Sequence, residues 1–272
     1  MATRRGYWVN SGLSGEGTTV AARYNLTFGY NMLLPAVYFG IRGFLTGNRK
    51  FYIPSAIGTL MILMGGSRGA LVCVPISFFL AIPFKWNKMG QRTKKLIILL
   101  IVLSIPVIFL VYRYFNLIIS AVFSMFSRFG LSSRSIDRII SGTFSAENGR
   151  DRIRDIVWEL VKTGGPFGRG IYGERNAVGQ YFKWGYAHNI ALEMLCAFGY
   201  VGGSVLLVLL GIQIVKTYKR CVSTEDMLVV ATFLGTSMKL LFSDSFWYCD
   251  TFWALLAIIV IWKKKAYETP SL

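Results

Sequence analysis

Uncharged apolar runs of near membrane-spanning length, separated by short charged stretches, predict seven helices over about 24–45, 51–67, 69–84, 96–113, 188–215, 226–244 and 247–262. Blocks of this kind differ from the mixed pattern of a soluble domain. The expected fold is an all-α polytopic membrane protein with about seven transmembrane helices. A long polar interval divides it into three parts: 1–113 with the first four helices, 114–187 as one large loop, and 188–272 with the last three.

Charge orients this map. The stretch "KWNKMGQRTKK", which starts at Lys85, carries five cations and no acid, and the positive-inside rule places it in the cytoplasm. "KTYKR" (Lys216 to Arg220) and "KKK" (Lys263 to Lys265) fall on the same side when the helices between them are counted. The N-terminus, with Arg4 and Arg5, then falls outside, an orientation the rule disfavours for a first helix, so the chain reads as the C-terminal part of a longer membrane protein. "GGSRG" (Gly65 to Gly69), the loop 114–187 and the start of the helix at His188 all fall on the outer face.

Composition adds a partner class and removes others. The chain is 54% hydrophobic and 15% aromatic with net charge +17, and on a membrane protein that excess signals topology and lipid headgroup contact rather than nucleic acid. Its four cysteines stand far apart with no CxxC pair, which suggests neither disulfides nor a zinc site. The N-terminal segment lacks the apolar core of a signal peptide, and its "GLSGEGTT" reads as a turn, without the GK[ST] of a phosphate-binding loop. In the outer loop, ten lysines and arginines face six acids, which an anionic ligand would explain.

Four places carry candidate chemistry. Arg68, in a glycine-flanked turn, is placed either to hold a phosphate bidentately or to snorkel to headgroups. In "NGRDRIRDIVWELV" the residues Arg150, Arg154 and Trp158 share one face of a predicted amphipathic helix lying over the membrane, with Asp151 and Asp155 as ion-pair partners beside them. The glycine- and aromatic-rich "GGPFGRGIYGERNAVGQYFKWGYAHN" includes Arg169 and Tyr186 and suits either sugar stacking or an interfacial aromatic belt. His188 is the only histidine, suited to proton transfer near neutral pH, and Asn189 is placed to orient it or to bond a hydroxyl. Lys239, with Asp244 and Asp250 beyond it, reads either as a set of snorkelling pairs or as part of the site.

The order "GSRGALV", then "GR…R…W" in a large outer loop, then "PFGRGIYG" and "AHNIALEMLCAFGYVGG", resembles the O-antigen ligase and polymerase family, over residues 10 to 262 or so. That resemblance implies a GT-C-like architecture in the bacterial cytoplasmic membrane with its active site on the extracytoplasmic face. It also implies metal-independent, inverting glycosyl transfer without a cofactor. The donor would be a glycan on undecaprenyl pyrophosphate, in surroundings of membrane lipid, with a flippase and a chain-length regulator as further partners. Arg68 and His188 match the family's SRG arginine and HN histidine; both Arg150 and Arg154 fit its loop arginine. Asn189, Trp158, Arg169 and Tyr186 are then expected to bind substrate. The leading reading is a repeat-unit polymerase for O-antigen, capsule or exopolysaccharide. A ligase acting on lipid A core or protein is the alternative, and a flippase or transporter or an inactive fragment stand as other classes.

Overall fold

The computed structural model describes residues 8–10, 20–22, 26–64, 67–86, 90–92, 94–95, 98–99, 150–181 and 185–268. The predicted helix 96–113 and the loop from 114 to 149 fall almost wholly outside them. The chain divides into two compact units, Met1–Ala146 and Glu147–Leu272.

In the first unit a short antiparallel pair, β1 (Trp8–Asn10) and β2 (Val20–Ala22), flanks the glycine-rich segment in the register Trp8↔Ala22. Every other described element is helical. The first predicted helix is divided into α1 (Leu26–Asn31) and α2 (Leu33–Thr46). Pro35 has no N–H to return to the carbonyl four residues back, so a helix can restart there more easily than it can continue through. Gly47, at φ 76°, closes α2 by donating to the Gly43 carbonyl at 2.9 Å. α3 (Tyr52–Met64) and α4 (Arg68–Trp86) follow.

Small residues bring these helices together. A Cβ on Gly58 would sit 3.0 Å from that of Ala36, and the Ser55 hydroxyl donates to the Ala36 carbonyl at 2.7 Å. Leu33, Val37, Ile41 and Ile62 are fully buried around that contact. At the far end of α4, Lys85 Nζ donates to the Phe44 carbonyl at 2.5 Å, which ties α4 to α2.

The second unit contains α5 (Arg150–Thr163), α6 (Arg175–Gly179), α7 (Ile190–Arg220), α8 (Thr224–Ser237) and α9 (Asp250–Glu268). The amphipathic helix is where the sequence predicts it, but its apolar side faces protein and not lipid. Ile153, Val157 and Val161 are buried with Val178, Ala187 and Cys196, against Leu192 and Leu195 of α7. A second core gathers Ile190, Met194, Leu240, Phe246 and Phe252. α8 opens on a capping box in which Ser223 and Asp226 satisfy one another's backbone N–H groups. It ends at Ser237, earlier than the hydrophobic pattern predicts, and passes through a 3-10 turn (Met238–Leu241) into a second one (Phe246–Tyr248).

Among the described residues, two helical stretches are long and apolar enough to cross a membrane, Gly69–Trp86 and Ile190–Arg220; Asp250–Trp262 is a shorter apolar helix. The 13 residues of α3 and 14 of α8 fall short of the roughly 20 that a span requires.

Candidate functional site

The start of α7 is built by Asn189. Its Oδ1 accepts from the Ala191 and Leu192 N–H groups at 3.0 and 3.1 Å, and its Nδ2 donates to the Leu241 carbonyl at 3.3 Å. Both side-chain ends are thus engaged within the protein, which makes Asn189 a helix cap tied to the turn after α8. His188 precedes it at φ 54°, a conformation that few residues with a Cβ adopt and that collects at functional sites. His188 is partly exposed with its Nδ1 buried, and its ring lies against Tyr186, centroids 4.1 Å apart at a tilt of 48°.

Ten residues along, α7 breaks. Gly199 has φ 76° and ψ 170°, so the helical ladder lapses and the carbonyls before it must find other donors. The loop supplies them: Arg169 N–H donates to Cys196 O and Gly170 N–H to Ala197 O, each at 2.9 Å. Gly168, at φ 73°, makes the approach possible. The Arg169 side chain turns the other way, with Nε donating to Leu160 O at 3.1 Å and Nη2 to Thr163 Oγ1 at 2.7 Å. Its guanidinium therefore closes the C-terminus of α5, where backbone dipoles favour a cation.

A polar interior lies beside this joint. Glu193, fully buried in the first turn of α7, accepts from the Ser245 hydroxyl and from Phe246 N–H at 3.0 Å. Glu174 is also fully buried, and burial pushes its carboxyl above the ordinary glutamate range against weaker opposition from Arg175. Arg175 Nε stands 4.0 Å from Glu174 Oε1, a long ion contact. The same guanidinium donates from Nη1 to Tyr248 OH at 3.3 Å and covers the rings of Tyr172 at 4.3 Å and Tyr248 at 4.9 Å. In the sequence Glu193 stands out as a charge inside an apolar helix. Glu174 and Arg175 are indistinguishable there from other loop charges.

The arginines expected to hold phosphate divide between the units. Arg68 is the first residue of α4 in the first unit, and Arg150 the first of α5 in the second; their side chains lie outside what the structure describes. Arg154 pairs with Asp151 three residues before it, both side chains about half exposed. Trp158 is 48% exposed on the same helix. Lys239 is paired with Asp244 at 2.8 Å. Among the described residues no three His, Cys, Asp or Glu converge as metal ligands would, and the four cysteines are free and buried.

Two long apolar helices that bury little of their surface, with polar groups gathered where one of them begins, are a pattern that fits a helical membrane protein. A family model described as O-antigen ligase matches residues 53–207, more than half of the chain. The chain belongs to the O-antigen ligase family, a membrane-associated family of glycosyltransferase-like enzymes that act on lipid-linked glycans. No curated protein and no solved structure matches it.

Proposed function

We propose that this protein polymerises oligosaccharide repeat units carried on undecaprenyl pyrophosphate, at the outer face of a bacterial cytoplasmic membrane that it crosses several times. The single observation that carries this reading is the reach of the family match. Residues 53–207 take in Arg68, the arginines of α5, the Arg169 loop and the His188–Asn189 helix start together.

In the proposed step an acceptor sugar hydroxyl attacks the anomeric carbon of the donor from the face opposite its pyrophosphate. The new C–O bond forms as the anomeric carbon–oxygen bond to pyrophosphate breaks, and the electron pair leaves with the phosphate. His188 takes the hydroxyl proton, a role whose typical worth is about 10²–10⁴-fold in rate. The leaving group gathers negative charge, which arginines stabilise without a metal ion. Arg68 suits that task by position, because the first residue of a helix adds the positive end of its dipole to the guanidinium charge. A flippase that delivers the donor and a regulator of chain length would be its further partners.

The ligase reading is kept because the matching family model is described by that activity. A glycan gel from cells deleted for the gene and supplied with the chain, or with Arg68→Ala or His188→Ala, separates the two. A ladder of repeats that needs both residues supports the polymerase. Single repeats on the final acceptor, with polymer building up on the lipid carrier, would make it a ligase. A ladder indifferent to both residues would end the assignment of either as catalytic.

A further inference from the structure

We propose that Tyr172, Tyr248 and Arg175 form a sugar-binding subsite that takes one pyranose ring of the acceptor glycan. This deepens the reading above and rests on it for the identity of the glycan.

The observations are geometric. Tyr172 and Tyr248 lie nearly parallel, 16° apart with centroids separated by 6.0 Å, and Trp247 meets Tyr172 edge-on at 5.5 Å. Both tyrosines stay open to their surroundings, Tyr172 39% and Tyr248 58% exposed, although apolar cores lie close by. Tyr172 is held at φ 61°, a strained conformation for a tyrosine that the surrounding structure has to impose.

Each ring has its own rigid support. Tyr172 stands two residues after Gly170, whose N–H is bonded to Ala197 of α7. Tyr248 ends the 3-10 turn whose first residue, Phe246, donates its N–H to Glu193 of α7. Arg175 joins the two, its guanidinium over both rings and one nitrogen on the Tyr248 hydroxyl. All these supports fall on the first turns of α7, within ten residues of His188.

A pyranose is the ligand this chemistry recognises. Its axial C–H bonds form an apolar, slightly positive face that suits the negative face of an aromatic ring, while its equatorial hydroxyls need donors and acceptors at the edge. The tyrosine faces that Arg175 does not cover supply the first, and the phenol oxygens supply the second, while the largely buried guanidinium holds the two rings in place. Because the rings are fixed before binding, little ordering entropy is lost when the sugar arrives.

The test is saturation-transfer NMR on the full chain in lipid nanodiscs. The probe is the repeat oligosaccharide released by mild acid from the lipid carrier of cells that lack the chain. The wild type is expected to saturate the C–H protons of one sugar face. The double variant Tyr172→Ala/Tyr248→Ala should bind at least tenfold more weakly, and Tyr172→Phe/Tyr248→Phe should keep most of the signal. No saturation of the probe by the wild type would overturn the proposal, as would equal binding by the alanine variant. The proposal also falls if the alanine variant only weakens contact with lipid, measured by quenching from brominated acyl chains, because the rings would then be an interfacial belt. Binding needs no transfer step, so an inactive protein that still saturates the probe would count against the polymerase reading and leave the subsite standing.

Discussion

Gly168 and Gly199 approach so closely that neither can carry a side chain: a Cβ on Gly168 would lie 2.2 Å from Gly199 N, and one on Gly199 2.0 Å from Pro166 O. Both also have positive φ, so space and backbone conformation exclude other residues independently. Gly199→Ala and Gly168→Ala should each destabilise the protein by about 3 kcal/mol or more. Gly47→Ala, where φ is also positive but nothing lies within 4 Å, should cost only about 1–2 kcal/mol. Thermal melting of the purified variants in detergent would show this as a deep drop for the first two and a shallow one for the third.

Arg169 closes α5, and its loss should be felt there first. Arg169→Ala is expected to cost roughly 1 kcal/mol, through the exposed hydrogen bonds to Leu160 O and Thr163 Oγ1 and the dipole contact, with Arg169→Lys recovering part of it. Hydrogen exchange at the last turn of α5 should speed up in the alanine variant. If it does not, and glycan transfer falls instead, the guanidinium belongs to the substrate.

Asn189→Ala removes a cap and should destabilise by about 1 kcal/mol, whereas Asn189→Asp or Asn189→Ser should hold the helix start nearly intact. Transfer activity is expected to follow stability across the three. An aspartate variant that is stable yet inactive would show that the amide group itself meets the substrate.

Glu174 carries a pH prediction. Its carboxyl titrates above the ordinary glutamate value of 4.5 because it is buried, so its contribution to stability is full below that value and is lost as pH rises through the raised one. Glu174→Gln should therefore raise the melting temperature once the pH exceeds the raised value, and flatten the decline that begins above 4.5. Identical slopes for variant and wild type would mean that Arg175 already compensates the charge.

Arg154 and Asp151 are both about half exposed, and exposed pairs of this kind contribute under about 1 kcal/mol. Arg154→Ala should leave the melting temperature almost unchanged and cut transfer more than tenfold. If Arg150→Ala does so and Arg154→Ala does not, the loop arginine is Arg150.

What the chain discloses without coordinates is the local part. The start of α5 and the beginning of α7 near His188 follow from spacing and residue type. The break at Gly199 does not, because "AFGYVGG" continues an apolar run in which a glycine signals neither φ nor a docked loop. Nor can periodicity tell that the apolar side of α5 meets α7 rather than lipid, since both partners are equally apolar. The contacts of Glu193 with Ser245 and Phe246 span more than fifty residues, and no local pattern encodes them.

The break at Gly199 also bears on thickness. α7 has 31 residues, well beyond the roughly 20 that cross a bilayer. Before the break its side chains are enclosed by protein, as Glu193, Met194, Cys196 and Ala197 are; after it Tyr200, Val201, Val205, Val208 and Val215 are turned outward. At about 1.5 Å per residue, the stretch from Tyr200 to Arg220 is about 30 Å long, the depth of a hydrocarbon layer. The glycine thereby divides one continuous rod into a socket and a span, joined where the docked loop makes its two backbone hydrogen bonds and where Leu207 and Leu210 pack against the core that holds Ile190 and Met194.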